Sequence, residues 1–79
     1  MRDSVYFEEH GYVFWCDAQE TAPGEWEAFV YFQRKSDLTK DLVPGMRHRI
    51  QATFQTRIQA LAAAADFGFD RARKDETAL

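Results

Sequence analysis

The chain has 79 residues, 13 acidic against 10 basic, for a net charge of −3, and 15% of it is aromatic. That length allows one domain whose folding buries only about 60–65% of the unfolded surface, which leaves little room for a deep catalytic pocket. The acidic balance argues against a dedicated nucleic-acid binder, and no apolar run nears the ~20 residues that cross a bilayer.

Residues 1–4 should fray. Val5-Tyr6-Phe7 is apolar and β-favouring, either a short strand or a lead-in, and Glu8-Glu9-His10-Gly11 reads as a turn. Tyr12 to Ala18 alternates as a strand. Tyr12, Phe14, Cys16 and Ala18 share one face; Val13, Trp15 and Asp17 share the other. Both faces are rather apolar, which suits a central strand. Gln19 to Glu25 holds the turn signal Pro23-Gly24, so the flanking runs should form an antiparallel hairpin. Trp26 to Arg34 is the next strand, with Trp26, Ala28, Val30 and Phe32 on one face and Glu27, Phe29, Tyr31 and Gln33 on the other.

Ser36 to Gly45 is a connection, with Leu38, Leu42 and Val43 available to tuck under the sheet and Pro44-Gly45 as a turn. Its length is unusual for a hairpin and makes it a candidate functional loop beside the plainer reading of a simple connection. Met46 to Phe54 alternates cleanly. His48, Ile50, Ala52 and Phe54 face one way; Arg47, Arg49, Gln51 and Thr53 face the other, as on an edge strand. A helix should then run from Arg57 to Lys74. Thr56 and Gln59 have the spacing of a capping box, and the alanine-rich run has high helix propensity. Ile58, Leu61, Ala62, Ala65, Gly68, Phe69 and Ala72 form the stripe expected to pack on the sheet. Phe67 falls off that stripe, exposed or held for a partner. Gly68 could end the helix, but Phe69 and Ala72 keep the period, so continuation is preferred. Residues 75–79 should fray.

The expected fold is therefore α+β: one domain over 1–79, an antiparallel sheet of three strands with a possible fourth, and one C-terminal helix on one face. The wholly apolar side carrying Trp26, Val30 and Phe32 should be the core. One helix cannot cover both faces. The second face, with Val13, Trp15, Phe29, Tyr31, Arg47 and Arg49, is the expected interaction surface, most often for self-association, with another partner or a further covering layer as the alternatives.

Charge is unevenly spread. Residues 1–28 hold one base and seven acids, residues 29–57 six bases and two acids, and residues 58–79 three bases and four acids. Such a dipole can steer self-association or a charged partner; it also fits plain solvated charge at two ends of a sheet. The one cysteine, Cys16, cannot form an internal disulfide, and no leader pattern opens the chain, so a cytoplasmic protein is expected. Mid-strand, Cys16 should be buried and inert. His10, Cys16 and His48 lack zinc-ligand spacing, and neither a phosphate loop nor a nucleophile with a partner occurs, so no metal, no cofactor and no enzyme activity is expected. The competing class is RNA or single-stranded nucleic-acid binding, with bases stacked on Phe29 and Tyr31 and phosphates tracked by the basic residues of Arg34 to Arg57, which include Lys35, Lys40, Arg47 and Arg49.

The order of strands and helix, with the tail Phe54-x-Thr56-x₃-Ala60-Leu61-x₂-Ala64, resembles small bacterial β-β-β-α domains. Among these are the N-terminal domain of HicB-type antitoxins and double-stranded-RNA-binding-type folds missing their first helix. The topological likeness spans residues 5–74 and the motif residues 54–64. The antitoxin resemblance implies a toxin as partner, although the chain has no added DNA-binding segment. The double-stranded-RNA resemblance implies basic residues at the helix N-terminus, where Arg57 alone matches.

Overall fold

The computed structural model describes residues 4–38 and 45–79. Expectations for residues 1–3, and for Lys40, Leu42, Val43 and Pro44, lie outside the described residues. Four strands, β1 (Val5–Glu9), β2 (Tyr12–Ala22), β3 (Glu25–Arg34) and β4 (Gly45–Phe54), are followed by one helix, α1 (Arg57–Arg73). The fold is α+β, and the sheet is antiparallel in the order β1-β2-β3-β4.

Val5-Tyr6-Phe7 is thus a true strand, and Glu8 and Glu9 belong to it rather than to the turn. The turn is only His10 and Gly11, at φ 52° and 81°. Two positive φ values in a two-residue loop match the right-handed twist of the strands that it joins. The second hairpin turns at Pro23-Gly24, with Gly24 at φ 73°. There β2 runs on to Ala22, past the expected end at Ala18, because Gln19 and Glu20 pair with Glu27 and Trp26.

Cross-strand pairing sorts the side chains into rows. On the helix side the register aligns Phe7, Phe14, Phe32 and Met46, and next to them Val5, Cys16, Val30 and His48. Phe14, Cys16, Val30 and Phe32 are fully buried there, so the Trp26/Val30/Phe32 side is the core, as the alternation implied. Each fully buried aliphatic or aromatic side chain contributes roughly 1.5–3 kcal/mol.

α1 crosses chiefly β2 and β3. Thr56 caps it, its Oγ1 accepting from the Gln59 N–H at 3.1 Å. The return bond of the capping box goes one residue further back than expected: the Gln55 N–H, not that of Thr56, donates to Gln59 Oε1, also at 3.1 Å. The buried stripe is Ala60, Ala64, Gly68 and Ala72, flanked by Leu61, Ala65, Phe67 and Phe69. This corrects the expected stripe. Ile58 is 78% exposed and Ala62 is exposed, whereas Phe67 packs against Phe32 and the His48 ring. The physical reason is space. The sheet already presents Phe7, Phe14 and Phe32, so the helix turns its smallest residues inward and straddles the rings with Phe67 and Phe69. Gly68 lies within the helix and directly against Phe14, where a Cβ would come closer than 3.0 Å to three ring atoms.

The chain after α1 is not frayed. Thr77 is 1% exposed, its carbonyl lies 3.1 Å from His48 Nε2, and Leu79 joins the core. The Glu76 N–H donates back to the Arg71 carbonyl at 2.8 Å. Helix-end bonding, the contact of the Thr77 carbonyl with His48 and the packing of Leu79 on the core therefore hold a segment whose composition looks solvent-bound.

Candidate interaction surface on the open face of the sheet

α1 packs on one face of the sheet, and the register defines what the other face carries. One row crosses all four strands as Tyr6, Trp15, Tyr31 and Arg47. The row on one side is Glu8, Val13, Gln33 and Gly45; on the other side Asp17, Phe29 and Arg49 align. All six residues expected on this face therefore do share it. Ring centroids of Tyr6 and Trp15 lie 5.3 Å apart, edge to face, and those of Trp15 and Tyr31 lie 5.9 Å apart. Arg47 lays its guanidinium over the Phe29 ring, 4.2 Å from the centroid, and Arg49 Nη1 donates to Glu27 Oε2 at 2.9 Å. Trp15 and Phe29 are half-buried, and Tyr31 and Tyr6 are 36% and 43% exposed.

Val13 departs from the expectation. It has no exposed surface, so it cannot be touched by a partner. Its row neighbours Glu8 and Gln33 carry longer side chains, and the ion pair between Lys35 Nζ and Glu8 Oε2, at 3.0 Å, spans β2 on that side. Val13 is a floor for the surface, not part of it.

Tyr6 was missed in the sequence, because the parity of a five-residue strand is ambiguous until the tight His10-Gly11 turn sets its register. Its hydroxyl donates to Glu8 Oε1 at 2.8 Å. That bond, joined by Lys35, holds the Glu8 carboxyl below its ordinary range, and the same bond, with some desolvation and the charge of Glu8, raises the Tyr6 phenol. Gly45, also unforeseen, lies beneath Tyr31: a Cβ there would overlap the phenol ring. Ser4, Trp15, Tyr31 and Gln33 line a shallow hollow of about 340 Å³ on this face. Three acids and two bases share the face: Glu8 on β1, Asp17 on β2 and Glu27 on β3, the last paired with Arg49, and Arg47 and Arg49 on β4.

The arrangement holds aromatic rings at a surface, which suits stacking and apolar contact. Cys16 lies buried on the opposite side, where desolvation pushes its thiol up to about 12. No group of three potential metal ligands occurs among the described residues, nor, among them, does a helix long and apolar enough to cross a membrane. Comparison with protein-family models, with curated proteins and with solved structures finds no match to this chain.

Proposed function

We propose that the chain is a non-enzymatic protein-interaction module and that the open face of the sheet is its binding surface. One observation carries this reading: Trp15, Phe29 and Tyr31 stay partly accessible on the face opposite α1, whereas the half-buried rings of Phe7, Tyr12, Trp26, Phe54, Phe67 and Phe69 all pack against the core. Tyrosine, tryptophan and arginine side by side are also the residue types that dominate interface energetics. A toxin, as the antitoxin resemblance implies, is one form such a partner takes.

The test is comparative capture from a lysate of the source cells. Wild-type protein is set beside a variant with Phe29→Ser and Tyr31→Ser and beside an Ile58→Ser control on the far side of the helix. A partner retained by wild type and by the control, but lost by the face variant, supports the reading. An identical set on all three removes it.

Nucleic-acid binding is the second reading, favoured by Arg47 and Arg49 next to the aromatic row. Against it, Arg49 is engaged by Glu27, Arg47 lies flat on Phe29, and three carboxylates share the face and repel phosphate. Titration of a single-stranded RNA at low and high salt separates the two. A phosphate-binding surface loses affinity steeply as salt rises.

A further inference from the structure

We infer that the partner fitted by the open face is a second copy of this chain, stacked face to face about a two-fold axis parallel to the strands. The inference rests on the reading of that face as an interaction surface and names its occupant. Charge layout is what selects it. Two in-plane two-fold axes allow a pair of such sheets to stack with their strands aligned. An axis across the strands lays β4 on its own copy, bringing Arg47 and Arg49 against Arg47 and Arg49 of the mate. Like charges so placed are strongly unfavourable.

An axis along the strands, running between β2 and β3, lays β4 of each copy over β1 of the other. The rows then match. Arg47 faces Tyr6 of the second copy, with Glu8 one row away. Trp15 faces Tyr31 of the second copy, and Arg49 falls one strand from Asp17. Aromatic meets aromatic at the axis, and the β4 edge with Arg47 and Arg49, the latter keeping its Glu27 partner, meets the β1 edge that carries Glu8. The hollow lined by Trp15 and Tyr31 lies beside this axis, where a Tyr31 from the second copy would enter.

The size of the face agrees with a reversible dimer. With strands about 4.8 Å apart and about 3.3 Å per residue, it measures roughly 20 by 27 Å, or about 500 Å² per copy. The total of about 1,000 Å² is at the lower limit for a specific interface.

Sedimentation equilibrium of the full chain over a wide concentration range tests this. Wild type should form a dimer. An acidic variant (Arg47→Glu, Arg49→Glu) and a basic variant (Glu8→Lys, Asp17→Lys) should each dissociate about a hundredfold more readily. An equimolar mixture of the two should recover the dimer, because both of its edge contacts then join opposite charges. Circular dichroism checks that each variant is folded. If either is not, a chain with Tyr6→Cys and Arg47→Cys serves instead. It should cross-link between copies on oxidation, while Arg47→Cys alone should not.

A wild-type chain that stays monomeric at every concentration overturns the second copy as occupant and leaves the open face to the capture test. A dimer weakened by Phe29→Ser and Tyr31→Ser, yet without rescue in the mixture or with Arg47→Cys cross-linking to itself, overturns the proposed axis. A dimer indifferent to every substitution on this face overturns both the inference and the reading beneath it.

Discussion

Replacing Gly68 by alanine should destabilise the protein, against the ordinary helix trend. In an exposed helix interior, Gly→Ala stabilises by about 1 kcal/mol. Here the added Cβ would come closer than 3.0 Å to three atoms of the Phe14 ring. That ring is fully buried and hemmed in by Phe7, Phe69 and Phe32, with centroids at 5.4, 5.1 and 5.6 Å. It cannot swing aside without moving three others, so α1 must lift or the cluster must shift. Overpacking of this kind costs about 1–3 kcal/mol, at its upper end here because backbone lies on one side and a ring cluster on the other. After the propensity gain the net loss is about 1–2 kcal/mol. For a domain of this size each kcal/mol lowers Tm by about 4–8 °C. Urea and thermal unfolding followed by far-ultraviolet circular dichroism read it directly. Adding Phe14→Leu to Gly68→Ala should recover part of the loss, a coupling that distant sites do not show. Gly68→Ala as stable as wild type, or more so, would refute the close approach of α1 to β2.

Other substitutions test the remaining contacts. Ile58→Ser should change stability by less than about 0.5 kcal/mol, while Phe67→Ala, which removes a ring packed on Phe32 and His48, should cost about 2 kcal/mol in the same unfolding assay. The buried Thr77 Oγ1 has no hydrogen-bond partner among the described residues, so Thr77→Val should be neutral or stabilising by up to about 1 kcal/mol; a clear loss in urea unfolding would reveal a bond to that hydroxyl. Glu8, held low first by the Tyr6 hydroxyl and then by Lys35, should titrate below free glutamate in carboxyl NMR, and Tyr6→Phe should move it upward. Because the folded carboxyl is depressed, its contribution to stability is present above the unfolded value and fades as pH falls through the folded one.

Much of the fold was legible. Each strand alternates with period two, so Phe14, Val30 and Phe32 declared the core side, and Trp15, Phe29 and Tyr31 the other. Thr56 with Gln59 marked the helix start within one turn. These signals are local: a side chain's face in a strand, or a cap's reach, depends on neighbours a few residues away. The paired row Tyr6, Trp15, Tyr31 and Arg47 was only half visible, because Tyr6 joins it through a register set by the turn at His10 and Gly11.

Sequence by itself determined the element types, the two faces of the central strands and the place of the helix at the end. Tertiary structure decided the phase of that helix, the burial of Val13 and the docking of Thr77 and Leu79. Hydrophobicity favours turning Ile58 inward, but the volume of three phenylalanine rings across the interface favours Ala60, Ala64, Gly68 and Ala72, and packing volume is a property of both partners at once. Val13 is fully buried in a row flanked by Glu8 and Gln33, and Lys35 reaches Glu8 from 27 residues along the chain, a meeting that no local pattern records.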